Sequence, residues 1–148
     1  MKTSVFGFLP IAIKTPSVLN SDFSDQLGVS TFATLFPDRY FRFGLGVGNM
    51  VSASVGFNAR GKIPVIIGLS DLLLAKAFDQ VYNGIAVPNL NIKILVAKLS
   101  GTGFNDVEDQ KLAELLPNFE IMNSSNDEQL HENLERAILD YGPKYLRV

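Results

Sequence analysis

Apolar residues along the chain fall into short continuous runs, and between them lie stretches whose apolar positions recur at helical spacing. Six runs read as strands: Ser17–Asp22, Asp38–Phe43, Lys62–Gly68, Asn91–Ala97, Phe119–Met122 and the closing KYLRV. A helical stretch ends near Pro37, and further helices are predicted over Asn49–Arg60, Asp71–Asn83, Asp106–Leu116 and Asp127–Tyr141. Ser70 is placed to cap the second of these four. Asp106, Glu108 and Asp109 sit in the first turn of the next, where the helix dipole favours them. The last helix has the plainest apolar face, built from Leu130, Leu134, Ala137, Ile138 and Tyr141, with Gly142-Pro143 ending it. Strands alternating with helices, and strands apolar almost throughout, predict a mostly parallel sheet covered on both faces. The expected fold class is therefore α/β, a three-layer αβα sandwich around six strands.

Composition narrows the function without naming it. A length of 148 residues and an apolar fraction of 47% suit one domain, residues 1–148, with a substantial core. A net charge of −2 supplies no broad basic field, so neither nucleic acid nor an anionic membrane surface is an expected partner. There is no cysteine and a single histidine, which removes thiol catalysis, disulfides and clustered-histidine metal sites. The apolar VFGFLPIAI near the start follows a lone Lys2 and is stopped by Lys14, so it reads as a first buried element rather than a signal peptide. No run approaches membrane-spanning length, and a cytoplasmic location is expected.

The chemistry-bearing candidate is the turn RFGLGVGNM, where Gly44, Gly46 and Gly48 link a strand to a helix. Such turns bind dinucleotide phosphates when they carry G-x-G-x-x-G. Here Asn49 stands where the third glycine belongs, the turn follows the second strand, and Asp71, the candidate ribose carboxylate, opens a helix. No Gly-Lys-Ser/Thr follows, so a P-loop fails as well.

The segment FPDRYFRFGLGVGNMVSASVGFNARGKIPVIIG resembles the central, pyrimidine-binding domain of transketolases and deoxyxylulose-phosphate synthases. The resemblance continues through AFDQVYNGIAVPNLNIKILVA, VEDQKLAELLPNFEIM and GPKYLRV, and is shortened only around Lys98–Asp106. It implies a six-stranded parallel sheet and thiamine diphosphate chemistry, with the cofactor's aminopyrimidine against this domain. The diphosphate and Mg²⁺ would be held by a separate domain, usually from the other half of a dimer. No diphosphate-binding G-D-G…N motif and no transketolase C-terminal domain are recognised in the chain.

Against that family the differences fall in the pocket. The glutamate that activates the pyrimidine is replaced by Val47, which can neither give nor take a proton; positioned acid–base groups contribute about 10²–10⁴-fold. Leu69 and Leu72 take the positions of a family aromatic pair. The histidine-bearing loop is short and has no histidine, with Lys98 near the first such position. The resemblance thus implies a degenerate pyrimidine pocket of Leu45, Val47, Leu69 and Leu72, with Asp22 either beside it or capping the next helix. No catalytic and no metal-ligating residue is expected. Asp79-Gln80 and Glu108-Asp109 match family pairs and read as structural, Met50 and Phe57 as core or interface residues, and His131 as solvent-facing. The leading expectation is a structural or regulatory subunit, as a homodimer or in a heteromer with a diphosphate-domain subunit. It would bind no cofactor alone, and thiamine diphosphate with Mg²⁺ only with such a partner. The alternatives are one half of a split enzyme transferring two-carbon ketol units, and a small-ligand sensor.

Overall fold

The structure, a computed structural model, describes residues 16–22, 28–97 and 106–148. Its strands are β1 (Pro16–Asn20), β2 (Tyr40–Arg42), β3 (Ile63–Leu69), β4 (Lys93–Ala97), β5 (Glu120–Asn123) and β6 (Lys144–Arg147). They form one six-stranded sheet in the order β2-β1-β3-β4-β6-β5, and every pairing is parallel. The helices are α1 (Val29–Leu35), α2 (Val47–Ala59), α3 (Ser70–Val81), α4 (Asp106–Glu114) and α5 (Asp127–Leu139).

Strand side chains alternate between two cores. Leu19, Ile66, Ile94, Val96 and Tyr145 face α2, α3 and α4, packing with Met50, Val51, Leu73, Leu74 and Ala113. Val18, Val65, Ile67, Leu95 and Leu146 face the other way, against Phe32 of α1 and Leu130, Leu134 and Ala137 of α5. The three-layer αβα arrangement expected from the apolar runs is therefore present. Neighbouring strands β1 and β3 send their connections in opposite directions, β1 towards β2 and β3 towards β4. A crevice opens beyond the carboxyl ends of such strands, where α/β folds place ligands.

Several boundaries differ from the sequence expectation. α2 begins at Val47 rather than Asn49, because the Met50 N–H already closes a helical bond to the Gly46 carbonyl at 2.9 Å. Ser70 is the first residue of α3, not its cap; β3 runs straight into the helix and Leu69 holds the cap position. α3 gives way to a π-type turn over Tyr82–Ala86, closed by the Val87 N–H on the Tyr82 carbonyl at 3.0 Å. Tyr141 does not extend the buried face of α5. The helix stops at Leu139, Asp140 is extended, and Tyr141 is 71% exposed. Asp22 does not cap α1, whose cap position is Gly28. The VFGFLPIAI element and Lys98 lie outside the described residues.

The start of α5 is fixed by reciprocal hydrogen bonds. Asn126 Oδ1 accepts from the Gln129 N–H at 2.8 Å, and Gln129 Oε1 accepts from the Ser125 N–H at 3.0 Å. Asn126→Ala is expected to lower stability by about 1 kcal/mol, read as an earlier urea midpoint with an unchanged slope.

Candidate functional site: the glycine-rich turn and its groove

The turn between β2 and α2 is tied back to the end of β1. The Phe43 N–H bonds the Asn20 carbonyl at 2.9 Å, and the Asp22 N–H bonds the Gly44 carbonyl at 3.2 Å. Gly44 has φ +58, a left-handed conformation that glycine adopts without steric cost. The turn then tightens through a Gly46 N–H bond to the Phe43 carbonyl at 3.1 Å and enters α2 at Val47.

This path sets the fate of each side chain. Val47 faces inward, 5% exposed, and packs with Leu19, Met50 and Val51. Leu45, one step earlier on the turn, is 68% exposed. Between the turn and α3 lies a groove of about 450 Å³, lined by Leu45, Gly46, Val47, Gly48, Asn49, Leu72 and Lys76. Three of the five sequence-derived pocket residues, Leu45, Val47 and Leu72, thus meet there. Leu69 does not line it. It is buried at the end of β3, and strand alternation directs it to the same side as Val65 and Ile67, away from α2 and α3. Asp22 is also outside the groove, its Oδ1 accepting from Arg42 Nη2 at 2.9 Å in an exposed ion pair.

Lys76 is the groove residue that sequence reasoning missed. Its signal was its place one helical turn after Leu72, on the same face of α3. It is the one ionisable side chain among the lining residues, and it is cationic. The described residues of the groove therefore offer apolar contact and a lysine at the rim, with no carboxylate among them. The aminopyrimidine of thiamine would find a surface for its ring, but no acid at the position where the family's glutamate hydrogen-bonds it. These residues do not fit the activated cofactor. Among the described residues no cluster of three acidic or histidine side chains could hold a metal ion.

Met50 is fully buried in the core, and Phe57 packs edge-to-face on Phe41 with ring centroids 4.8 Å apart. Gln80 lies against Gly48, where an added Cβ would be 3.7 Å from its amide carbon, so this pair fixes how closely α2 and α3 approach. Asp79 accepts from Asn83 Nδ2 at 2.7 Å. His131 is half-buried on α5, across the sheet from the groove.

Glu108 is exposed, but Asp109 is buried and works as a clamp. Its carboxylate accepts from Arg147 Nη2 at 2.8 Å, from Arg147 Nε at 3.1 Å and from the Tyr145 hydroxyl at 3.1 Å. Arg147 Nη1 also donates to Gln110 Oε1 and Asn123 Oδ1, each at 3.0 Å. The network joins α4, β5 and β6 beside a second cavity of about 320 Å³, whose lining includes Ser70, Asn123, Ser124 and Arg147. The sequence singled out Asp109 through the Glu108-Asp109 pair, read as structural, but gave no sign of Arg147 as its partner or of this cavity.

No family model matches the chain. The chain is 29% identical over 138 residues to a Methanocaldococcus jannaschii protein named as a transketolase C-terminal section, covering 88% of this chain and 43% of that protein. It is 28% identical over 153 residues to 1-deoxy-D-xylulose-5-phosphate synthase of Symbiobacterium thermophilum, covering 98% of this chain and 24% of the synthase. Among solved structures, it superposes on the inactive beta4 tetramer of a split-gene transketolase with a TM-score of 0.81 and 30% identity, over 90% of this chain and 44% of the other. The chain thus spans less than half the length of these relatives. Matching sequence and matching fold, over nearly the whole chain, identify it as a transketolase-like domain of the pyrimidine-binding type.

Proposed function

We propose that this transketolase-like domain does not catalyse ketol transfer and serves as a structural or regulatory subunit. The observation that carries this reading is Val47, an apolar side chain packed into the core at the first residue of α2. It stands where the family's activating carboxylate would be, and among the described residues no acid lines the groove. The partner would be a second copy or a diphosphate-domain subunit, met through the surface that exposes Leu45 beside the apolar groove. In this reading residues 1–148 are one domain. No helix among the described residues is long and apolar enough to cross a membrane. A cytoplasmic location belongs to the same proposal and is tested by fractionating native cells. Thiamine diphosphate with Mg²⁺, titrated calorimetrically into the purified chain, is expected to give no binding heat. Saturable binding at micromolar concentration would contradict the reading.

A second reading is supported by the relatives themselves, one named as a transketolase section and another as a split-gene transketolase. The chain would then be the pyrimidine-domain half of a split enzyme transferring two-carbon ketol units, with thiamine diphosphate shared across the subunit interface. Such an enzyme needs an activating acid from outside the groove. Ketol transfer that appears only on mixing with a diphosphate-domain subunit would favour it. The groove volume also suits a small molecule. A ligand that raised the melting temperature of the chain without any partner would favour a sensor.

A further inference from the structure

At the amino-terminal ends of the strands, opposite the groove, three ionisable residues stand side by side in register. Lys93 of β4 pairs with Lys144 of β6, and Lys144 pairs with Glu120 of β5. Residues in register on parallel strands present their side chains to the same face, here the face covered by α5. Lys144 has a carboxylate, with Nζ 2.6 Å from Glu120 Oε2. Lys93, which is fully buried, is bonded to oxygens that carry no formal charge: Asn91 Oδ1 at 2.7 Å, the Asp140 carbonyl at 2.8 Å and the Gly142 carbonyl at 2.6 Å. The row therefore sets two lysines against one carboxylate, with Lys93 fully buried and Glu120 partly exposed.

We propose that Lys93 and Asn91 form a proton switch inside the fold, in which the Asn91 amide turns over as Lys93 gains or loses its proton. Both states are fully hydrogen-bonded. As an ammonium, Lys93 has three N–H donors for the three oxygens. As a neutral amine it keeps two donors, for the Asp140 and Gly142 carbonyls, and has a lone pair that needs a donor. Rotating the Asn91 amide by half a turn exchanges its oxygen for its NH₂, which then donates to Nζ. The proton goes to solvent, and no tie to the turn between α5 and β6 is lost.

The surroundings favour the neutral state more than an ordinary lysine site does. Burial and then the Lys144 charge lower the Lys93 pKa from 10.5 to about 7, against a smaller opposing pull from Asp140. The charged groups around the site are Lys144 on β6, Glu120 on β5, and Asp140 and Arg136 at the end of α5. Arg136 is itself within ion-pair distance of both Glu120 and Asp140. On the β3 side the register neighbour of Lys93 is Val65, which carries no charge.

The test is a pH titration of the whole chain by NMR, with lysines labelled at Cε and asparagine side-chain amides at nitrogen. Lys93 Cε is expected to titrate near pH 7, well below the surface lysines, and the Asn91 NH₂ resonances to shift with the same midpoint. Asn91→Asp, nearly isosteric, should move the Lys93 midpoint upward by adding a carboxylate, and Lys144→Met should do so by removing a cation. A Lys93 that titrates with the surface lysines overturns the proposal. So does a low midpoint that leaves the Asn91 amide unmoved, or one that neither variant shifts.

Discussion

Asp109→Ala is expected to destabilise the domain by about 3–5 kcal/mol, the range for deleting one partner of a buried ion pair. Asp109 is 5% exposed, and its carboxylate accepts three hydrogen bonds that link α4 to β6. Removing it takes the counter-charge from Arg147, whose side chain is 18% exposed, and an acceptor from the buried Tyr145 hydroxyl. For a domain of this size the melting temperature should fall on the order of 10 °C. Asp109→Asn keeps one oxygen for Tyr145 and loses the charge, so it should lie between wild type and alanine. Equal stability of Asp109→Ala and wild type in urea denaturation would show that the clamp is not a structural tie.

The second large effect is a dependence of stability on pH that traces to Lys93. Its pKa falls from 10.5 to about 7 on folding. Between these values the unfolded chain holds a proton that the folded chain has released. Stability therefore rises with pH across that window, and acidification from pH 10 towards 7 removes it. Below about 7 both states are protonated and this contribution levels off. One proton corresponds to a slope of up to about 1.4 kcal/mol per pH unit. Lys93→Met should abolish the slope, so the test is urea denaturation of both proteins between pH 7 and 9.5. Parallel curves for the two would assign the dependence to other groups.

Much of the fold was legible in the sequence because each strand is a short apolar run and each helix carries its own period. All six strand runs and the helices α2 to α5 appear within a few residues of where the pattern places them. The errors share one cause, which is that helix ends are set by tertiary contacts. Tyr141 continued the apolar spacing of α5, but the Asp140 carbonyl is turned towards Lys93 and the helix stops first. Ser70 had the chemistry of a cap, yet the direct passage from β3 into α3 left it no place before the helix.

Along the groove, Leu45 and Val47 lie together because they are neighbours on one turn, whereas the place of Leu69 depends on strand parity. Leu72 reaches the groove from α3, whereas Leu69 lies on the opposite face of the sheet. Lys93 looked like a polar interruption in the run NIKILVA. Its burial depends on the α5–β6 turn, about fifty residues further along, which supplies two of its three oxygens. The Asp109–Arg147 clamp likewise needs the packing of α4 on β6, which no local pattern encodes.

On the proposed function, a domain with Val47 at the head of α2 does not run ketol transfer. The most direct measurement is an assay of the chain recovered by affinity tag from its native cells, together with the subunits that accompany it. Thiamine diphosphate, Mg²⁺, a ketose donor and an aldose acceptor would be supplied. Recovery with a defined partner, a second copy included, and no thiamine-dependent turnover is the predicted result. Turnover that depends on thiamine diphosphate and on this chain would contradict the claim, and would show that the missing carboxylate is supplied from outside the groove.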